Sequence, residues 1–274
     1  MINSFVNKFS NNIFSFYVYY SNLLLGWQIV SFIYLYQSTD AGEISNRLEK
    51  WSVFEPFLIG MGALITILLL ILHRLFPMIH LQLIRGLPKQ IMIQNLFLVI
   101  LFFNFLAIEL NIHLDVFELI AFIFAIWILT KWGTVFYNSN RPGWTHPTTH
   151  GSFFVAALLI GCTLLSLFNL TSIEYSLLQY FILILLFFEL FIVYARFQYL
   201  SKAGQATIRI ARKLMGSQIL YFGTRIIIGI FMPAIFILYM ILINGDDIKG
   251  VGVLILVGTL IDRVLFITLV DNAS

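Results

Sequence analysis

Few side chains in this sequence are capable of chemistry, and the densest group of them lies in one short segment. Residues 137–154 read YNSNRPGWTHPTTHGSFF and lie between two long apolar runs. His146 and His150 have the spacing of neighbours on a helix, which would suit a metal ion. However, Pro147 lies between them, and no carboxylate accompanies them, which argues against zinc. The sequence therefore predicts no metal site in this segment.

Redox metals have few possible ligands in the chain. The single cysteine, Cys162, lies inside an apolar run, which excludes a disulfide, a cysteine-ligated iron–sulfur cluster and a thiolate zinc site within the chain. A haem needs axial ligands, which are usually histidines on facing helices inside a bundle. The histidines here are expected at helix ends or in loops: His73, His80, His113, His146 and His150. We therefore expect no haem and no iron–sulfur cluster in this chain.

Three ionisable residues inside apolar runs form the second group of interest. Counted along their predicted helices at a rise of about 1.5 Å per residue, Glu189, Arg225 and Arg263 all lie roughly 12–14 Å below the same membrane face. Such groups cost several kcal/mol in hydrocarbon unless they pair or face water, so a common depth predicts a polar pocket. A structural alternative stays open, in which Asp262 or Glu189 neutralises an arginine only to hold the bundle together.

The elements that must position these residues are predicted from composition and run length. Of the 274 residues 60% are hydrophobic and 11% are charged, whereas a soluble domain has about 25% charged residues. Eight apolar runs match the roughly 20 residues that a helix needs to cross a bilayer. We therefore predict an all-α, polytopic membrane protein that forms a single bundle of eight transmembrane helices over residues 1–274. The predicted spans are 11–36, 53–76, 91–112, 114–136, 152–170, 173–200, 218–243 and 251–270, with a loop at 201–217.

Eight spans place both termini on one side of the membrane, here called face A. The basic residues concentrate there: Lys8, Arg74, Arg85, Lys89, Lys131, Arg141, Arg196, Lys202, Arg209, Arg212 and Lys213. The positive-inside rule would make face A cytoplasmic. The competing interpretation is that these cations bind an acidic partner subunit.

Four patches along the chain carry a family resemblance. They read LHRLFP at 72–77, RPGWTHPTTHGSFF at 141–154, TRIIIGIF at 224–231 and DRVLF at 262–266. Their order and spacing resemble the quinol-linked membrane anchor subunit of dimethyl sulfoxide reductase and its relatives, over nearly the whole chain. The resemblance implies a multi-pass protein of a prokaryotic inner membrane, with a four-cluster iron–sulfur subunit and a molybdopterin catalytic subunit as partners. Such an anchor oxidises menaquinol or ubiquinol in anaerobic respiration, and no nucleic-acid partner is expected.

The resemblance also implies a quinol site. The histidine of the family's LH motif corresponds to His73, and the family's arginines correspond to Arg225 and Arg263. Where the family has a serine-rich stretch ending in a glutamate, this chain reads PKQIMIQNLF and has Asn95. An amide can hydrogen-bond a quinol but cannot accept its proton. We expect His73 to act as the base, because imidazole titrates near neutral pH, and Glu189 to be the candidate that replaces the missing glutamate.

Aromatic and basic residues on face A complete the predicted site. Tyr137 and Trp144 would either wall the quinol ring or belong to the interfacial belt in which Trp and Tyr are enriched. The concentration of cations on face A leads us to expect the partner subunit on the same face. The residues expected to contact it are His80, Arg141, His146 and Arg212.

Two other functions fit the sequence. The first is a secondary transporter or channel, with Glu189, Arg225 and Asp262 as its polar site near the midplane. The second is a purely structural anchor whose quinol site has decayed, which the missing glutamate would explain.

Overall fold

The computed structural model describes residues 2–35, 54–75, 87–109, 115–139, 143–168, 170–243, 245 and 248–271, and its regular elements there are all helical. The helices are α1 (Ile2–Leu35), α2 (Phe54–Leu75), α3 (Leu87–Glu109), α4 (Asp115–Tyr137), α5 (Thr148–Leu165), α6 (Ser172–Lys202), α7 (Gln205–Met215), α8 (Ile219–Leu242) and α9 (Lys249–Asp271). Within α8, residues Ile227–Phe231 form a π-helical turn.

Most of these helices are suited to a bilayer. Of the described helices, α1, α3, α4, α5, α6, α8 and α9 are long and apolar enough to cross a membrane, whereas α2 has a shorter apolar stretch, Phe54–Ile67. Mean hydropathy of the spans runs from 1.2 in α1 to 2.4 in α6 and α8. The chain therefore has the all-helical architecture of a multi-pass membrane protein.

Helix α1 is the central element of the bundle. It packs against α2, α4, α5 and α9, and 78% of its apolar span is buried. Its contact with α5 is close, because a Cβ added at Gly26 would overlap the carbonyl oxygen of Ala157, and one added at Gly161 would overlap that of Gly26. The side chains that α1 buries include several polar ones: Ser15, Ser21, Asn22, Gln28 and Ser31. Helix α1 thus contacts protein on most sides.

The remaining helices form two groups around α1, which also meet each other where α4 packs against α5. Helix α3 packs against α2 and α4, whereas α6 packs against α5, α7 and α8, and α8 packs against α9. We call α2–α4 the amide half and α5–α9 the charged half, after the buried side chains described below.

Segment 201–217, predicted as a loop, contains helix α7, so that prediction is wrong. Thr207, Ile210 and Leu214 recur at helical spacing and are buried, while Arg209 and Arg212 are exposed. The helix begins after Gly204, whose φ of 145° is readily adopted only by glycine. A search for apolar runs misses such an element because only one face of the helix is apolar.

Candidate functional site

Four charged side chains from α6, α8 and α9 meet inside the charged half and form what we call the charge cluster: Glu189, Arg225, Asp262 and Arg263. Arg225 lies between the two carboxylates. Its Nη2 donates a hydrogen bond to Glu189 Oε1, and its Nε donates to Asp262 Oδ1 at 2.7 Å. Arg263 Nη1 lies 3.6 Å from Asp262 Oδ2. The structure thus brings together the three residues that the sequence predicts at one depth, and adds Asp262 as the carboxylate shared by both arginines.

Arg263 joins this cluster to two further helices. Its Nη2 donates to the backbone oxygen of Ser152 at 2.7 Å, and its Nη1 donates to the Ser152 hydroxyl at 3.2 Å. With its amide oxygen turned towards the guanidinium, Asn22 of α1 accepts from Nε at 2.8 Å. The guanidinium carbon also lies 4.5 Å from the centre of the Phe153 ring. Because Arg263 is 0% exposed and bonded on several sides, it links α9 to α1 and α5.

A third guanidinium, that of Arg196, lies beside the cluster. Its Nη2 donates to Thr149 Oγ1 at 3.2 Å, and its Cζ lies 4.7 Å from the centre of the Phe266 ring. The sequence argument places Arg196 only among the cations of face A. The signal that would have found it is its spacing of seven residues from Glu189, since residues two turns apart lie on one face of a helix.

A cavity of about 60 Å³ opens next to these groups. Its polar lining consists of Ser152, Glu189, Arg196, Arg225 and Asp262. Its apolar lining includes Phe197, Leu200, Ile210, Leu214, Phe222 and Leu265. Helix α7 contributes to this wall through Ile210 and Leu214, so the helix missed in the sequence covers part of the cavity. The cavity has room for several water molecules, because one water needs about 10–15 Å³.

Two buried carboxylate oxygens of residues that line the cavity, Glu189 Oε2 and Asp262 Oδ2, accept no hydrogen bond within the described part of the chain. Asp262 Oδ2 lies 3.6 Å from Arg263 Nη1. Glu189 Oε1 is bonded to Arg225, whereas Oε2 has no hydrogen-bond partner within the described part of the chain. Buried polar atoms are normally paired, so an orphaned acceptor beside a cavity indicates a place for a ligand donor or for water. The arrangement can therefore accept a hydrogen bond or a proton from a molecule in the cavity.

The two predicted aromatic residues, Tyr137 and Trp144, do not line the cavity. Trp144 is 1% exposed, and its Nε1 donates to the backbone oxygen of Phe266 at 2.8 Å. Its ring packs against Phe136 and Phe266, with ring centres 4.9 and 5.5 Å away. Tyr137 is 38% exposed and lies 5.5 Å from the His150 ring. Gly143, the neighbour of Trp144, does line the cavity.

Two of the residues expected to contact a partner, His146 and Arg212, belong to the described part of the chain, and both are at least partly exposed. The His146 ring is partly buried against Tyr199, with centres 4.5 Å apart, and its Nδ1 lies 2.6 Å from Thr148 Oγ1. Burial and the nearby Arg196 guanidinium lower the pKa of His146 from its ordinary value. Arg212 is exposed on α7. His80 and Arg141 lie outside the described residues.

The region around Asn95 differs from the charge cluster because its hydrogen bonds are made by neutral amide side chains. Thr66 Oγ1 of α2 is 3.1 Å from Asn95 Oδ1 of α3, which accepts its hydrogen bond. The adjacent Gln94 accepts at 3.4 Å from Trp132 Nε1 of α4, and Gln90 donates at 3.2 Å to a backbone oxygen of α4. The structure thus places Asn95 in a neutral network of the amide half, apart from Glu189. The backbone of His73 lies in α2, and its side chain lies outside the described residues.

Comparison of the chain with models of protein families, with curated proteins and with solved structures finds no match. The charge cluster and its cavity are therefore the basis for the functional conclusion.

Proposed function

We propose that this chain is the membrane anchor and quinol-oxidising subunit of a molybdopterin and iron–sulfur oxidoreductase complex. In this proposal α2 is the eighth transmembrane helix of the bundle, and the protein lies in a prokaryotic inner membrane. Menaquinol or ubiquinol is the substrate, and the partners are a four-cluster iron–sulfur subunit and a molybdopterin catalytic subunit. The order of the four sequence patches supports these assignments.

The observation that carries the proposal is the orphaned Glu189 Oε2 beside a cavity with mainly apolar walls. A quinol site needs an apolar slot, polar groups that reach the ring oxygens, and a proton acceptor. Glu189 supplies the acceptor, Arg196 supplies a donor, and residues such as Phe197 and Phe222 supply apolar walls. The cavity thus has the chemical groups that oxidation of a quinol requires. Its volume of about 60 Å³ is smaller than a quinol ring, so in this proposal the apolar side chains of the wall move apart when the ring enters.

In the proposed reaction each quinol loses two protons and two electrons. Glu189 accepts a hydroxyl proton, and the electrons pass to an iron–sulfur subunit docked on face A. Arg225 holds the Glu189 carboxylate in place through Oε1, which leaves Oε2 to meet the ligand. Arg263 and Ser152 fix the helices that carry the cluster.

Glu189→Gln tests this role, because glutamine keeps the shape of the side chain but cannot take a proton. We expect quinol-dependent activity to fall about 100-fold or more, which is the usual contribution of a general base. Activity with an artificial dye should be unchanged, because dye electrons enter through the partner subunits. Both activities are measured in the same membranes.

Glu174→Gln is the matched control for this experiment. Glu174 lies at the start of the same helix, where its carboxylate accepts from the Thr171 backbone at 2.7 Å in a capping box, and glutamine also serves in that motif. The control should retain both activities. Equal loss of quinol and dye activity in Glu189→Gln would mean that Glu189 serves only folding or docking, and unchanged quinol activity would remove it from the reaction.

The partner assignment is tested by purifying the chain from its native membrane. Two co-purifying soluble subunits, one of them rich in cysteine, are the expected result. Crosslinkers at His146, in the loop that holds Trp144, and at Arg212 should capture the cysteine-rich subunit, whereas crosslinkers at Asp115 should not. Capture only at Asp115 would place the partner on the opposite face.

A secondary transporter is the second candidate, and the ion pairing of Arg225 favours it. Arg225 contacts carboxylates on both α6 and α9, and intramembrane pairs of this kind also occur in ion-coupled transport sites. A chain that purifies alone, together with substrate uptake that Glu189→Gln abolishes, would establish this candidate. A solitary chain with neither activity would leave the structural anchor.

A further inference from the structure

The charge cluster and Arg196 together carry an excess of one positive charge. The carboxylates are Glu189 and Asp262, and the guanidiniums are those of Arg196, Arg225 and Arg263. Arg225 and Arg263 each have a carboxylate oxygen within 4 Å. In the described part of the chain Arg196 has hydrogen bonding to Thr149 and ring contact with Phe266, but no such carboxylate. The positive charge that is left over thus belongs to Arg196.

Arg196 is held so that one donor is available next to the cavity. Thr149 fixes Nη2, and the guanidinium lies over the Phe266 ring, so the side chain has little freedom to swing away. Its Nε is buried and has no hydrogen-bond partner among the described residues, and Arg196 lines the cavity. An unpaired guanidinium in apolar surroundings costs several kcal/mol, and a negatively charged ligand would offset that cost.

We propose that this cavity selects an anionic oxygen and that its ligand is the monoanion of the quinol. The identity of the ligand rests on the proposed function, whereas the preference for an anion rests on the charges. The neutral quinol first transfers one hydroxyl proton to Glu189 Oε2, and Arg196 Nε binds the resulting oxyanion. The monoanion then loses its second proton to water at face A and two electrons to the iron–sulfur partner, which leaves the quinone.

Binding of two naphthoquinones of nearly equal shape tests the preference for an anion. The hydroxyl of 2-hydroxy-1,4-naphthoquinone is ionised at pH 7, whereas the 2-methoxy ether is neutral. Dissociation constants are measured with the full-length chain, and any subunits bound to it, in a maltoside detergent and a phosphate-free buffer. We expect the anion to bind about tenfold to a hundredfold more tightly, which corresponds to a hydrogen bond between charged groups.

Three variants of single arginines assign that preference to one residue. Arg196→Gln should remove the preference while leaving binding of the ether within about threefold, because only the anion interacts with the lost charge. Arg196→Lys keeps the charge and should keep most of the preference. Arg209→Gln, on the exposed face of α7, should behave as the unaltered chain does. A preference that survives in Arg196→Gln, or is lost in Arg209→Gln, would overturn the assignment.

The phosphate of an anionic phospholipid offers the same chemistry and is distinguished by competition. Adding short-chain phosphatidylglycerol should leave the affinity for the hydroxynaphthoquinone unchanged. If phosphatidylglycerol competes with the hydroxynaphthoquinone and this competition disappears in Arg196→Gln, the anion site binds lipid phosphate. That result would overturn the assignment of the quinol monoanion as the ligand. Equal binding of the two naphthoquinones would overturn the preference and leave the proposed function standing. Absence of binding by both, in folded and monodisperse protein, would instead contradict the proposed function.

Discussion

The charged half and the amide half bury polar groups in two different ways. In the charged half, ionised side chains from three helices meet, and a cavity lies beside them. In the amide half, Asn95, Gln94 and Gln90 are bonded one by one to a hydroxyl, an indole and a backbone oxygen. An ionised group in apolar surroundings costs far more than an amide unless it is paired. The comparison therefore indicates that the charge cluster holds the chemistry and that the amide network around Asn95 mainly holds helices together.

The largest effect on stability is expected from Arg225→Met. This change leaves the carboxylates of Glu189 and Asp262 buried without their shared partner, so we expect the free energy of unfolding in detergent to fall by about 3–5 kcal/mol. Thermal unfolding of the purified chain measures it. Arg209→Met, on the exposed face of α7, is the control and should change stability by less than about 0.5 kcal/mol. Similar small changes in both variants would contradict the distinction between a charged and an amide half.

An intermediate effect is expected where α1 joins the two halves. In Gly161→Ala the new methyl group would overlap the backbone oxygen of Gly26, so α1 must move away from α5. Overpacking of this kind costs about 1–3 kcal/mol. Gly60→Ala is the matched control, because a Cβ there meets nothing within 4 Å.

The displacement of α1 should also be visible in the charged half, because Asn22 of α1 bonds Arg263. We therefore expect Gly161→Ala, but not Gly60→Ala, to reduce quinol-dependent activity more than dye-dependent activity. If Gly161→Ala lowers stability and leaves the activity ratio unchanged, the two halves are not coupled through α1.

The smallest effect on stability is expected from Asn95→Leu in the amide half. This variant loses the hydrogen bond from Thr66, and interhelical hydrogen bonds in membranes average about 0.6 kcal/mol. If quinol binds in the charged half, quinol-dependent activity should stay within about twofold of normal, which is the kinetic equivalent of less than 0.5 kcal/mol.

His73→Ala extends that comparison to the residue that the resemblance implies as the base. If His73 is the base, as the resemblance implies, His73→Ala abolishes quinol oxidation and leaves dye-dependent activity intact. If the chemistry is confined to the charged half, His73→Ala leaves both activities unchanged. If Asn95→Leu also loses quinol-dependent activity while Glu189→Gln keeps it, the quinol site lies in the amide half. Unchanged activity in His73→Ala would remove His73 from the mechanism.

The sequence predicts the apolar helices well, because their length is set by the bilayer. The sixth predicted span, 173–200, differs from α6 (Ser172–Lys202) by only a few residues. Thr171 and Glu174 form the capping box that fixes its start, and both are visible in the sequence. Helix α1 differs more, since it begins at Ile2, whereas the predicted run begins at residue 11 because residues 1–10 form a polar head that contains Lys8.

The pairing of the charges could be predicted only in part. Depth along each helix follows from residue number, so the common layer of Glu189, Arg225 and Arg263 can be counted. The face of α8 that meets α9 cannot be predicted in this way. The π-helical turn Ile227–Phe231 changes the phase of the helix, and Gly229 then contacts Gly258. Tertiary packing therefore decides that Arg225 meets Asp262, and no local sequence pattern contains that information.

The burial of α1 has a consequence for biogenesis. This helix is made before the other described helices, yet α5, which packs closely against it, begins only at Thr148. At about 5–20 residues per second, the wait between them is on the order of ten seconds. During that time Asn22 has no Arg263 of α9 to bond, although it is buried in the finished bundle. Helix α1 must therefore stay with the insertion machinery or at the membrane interface until the second half of the protein arrives.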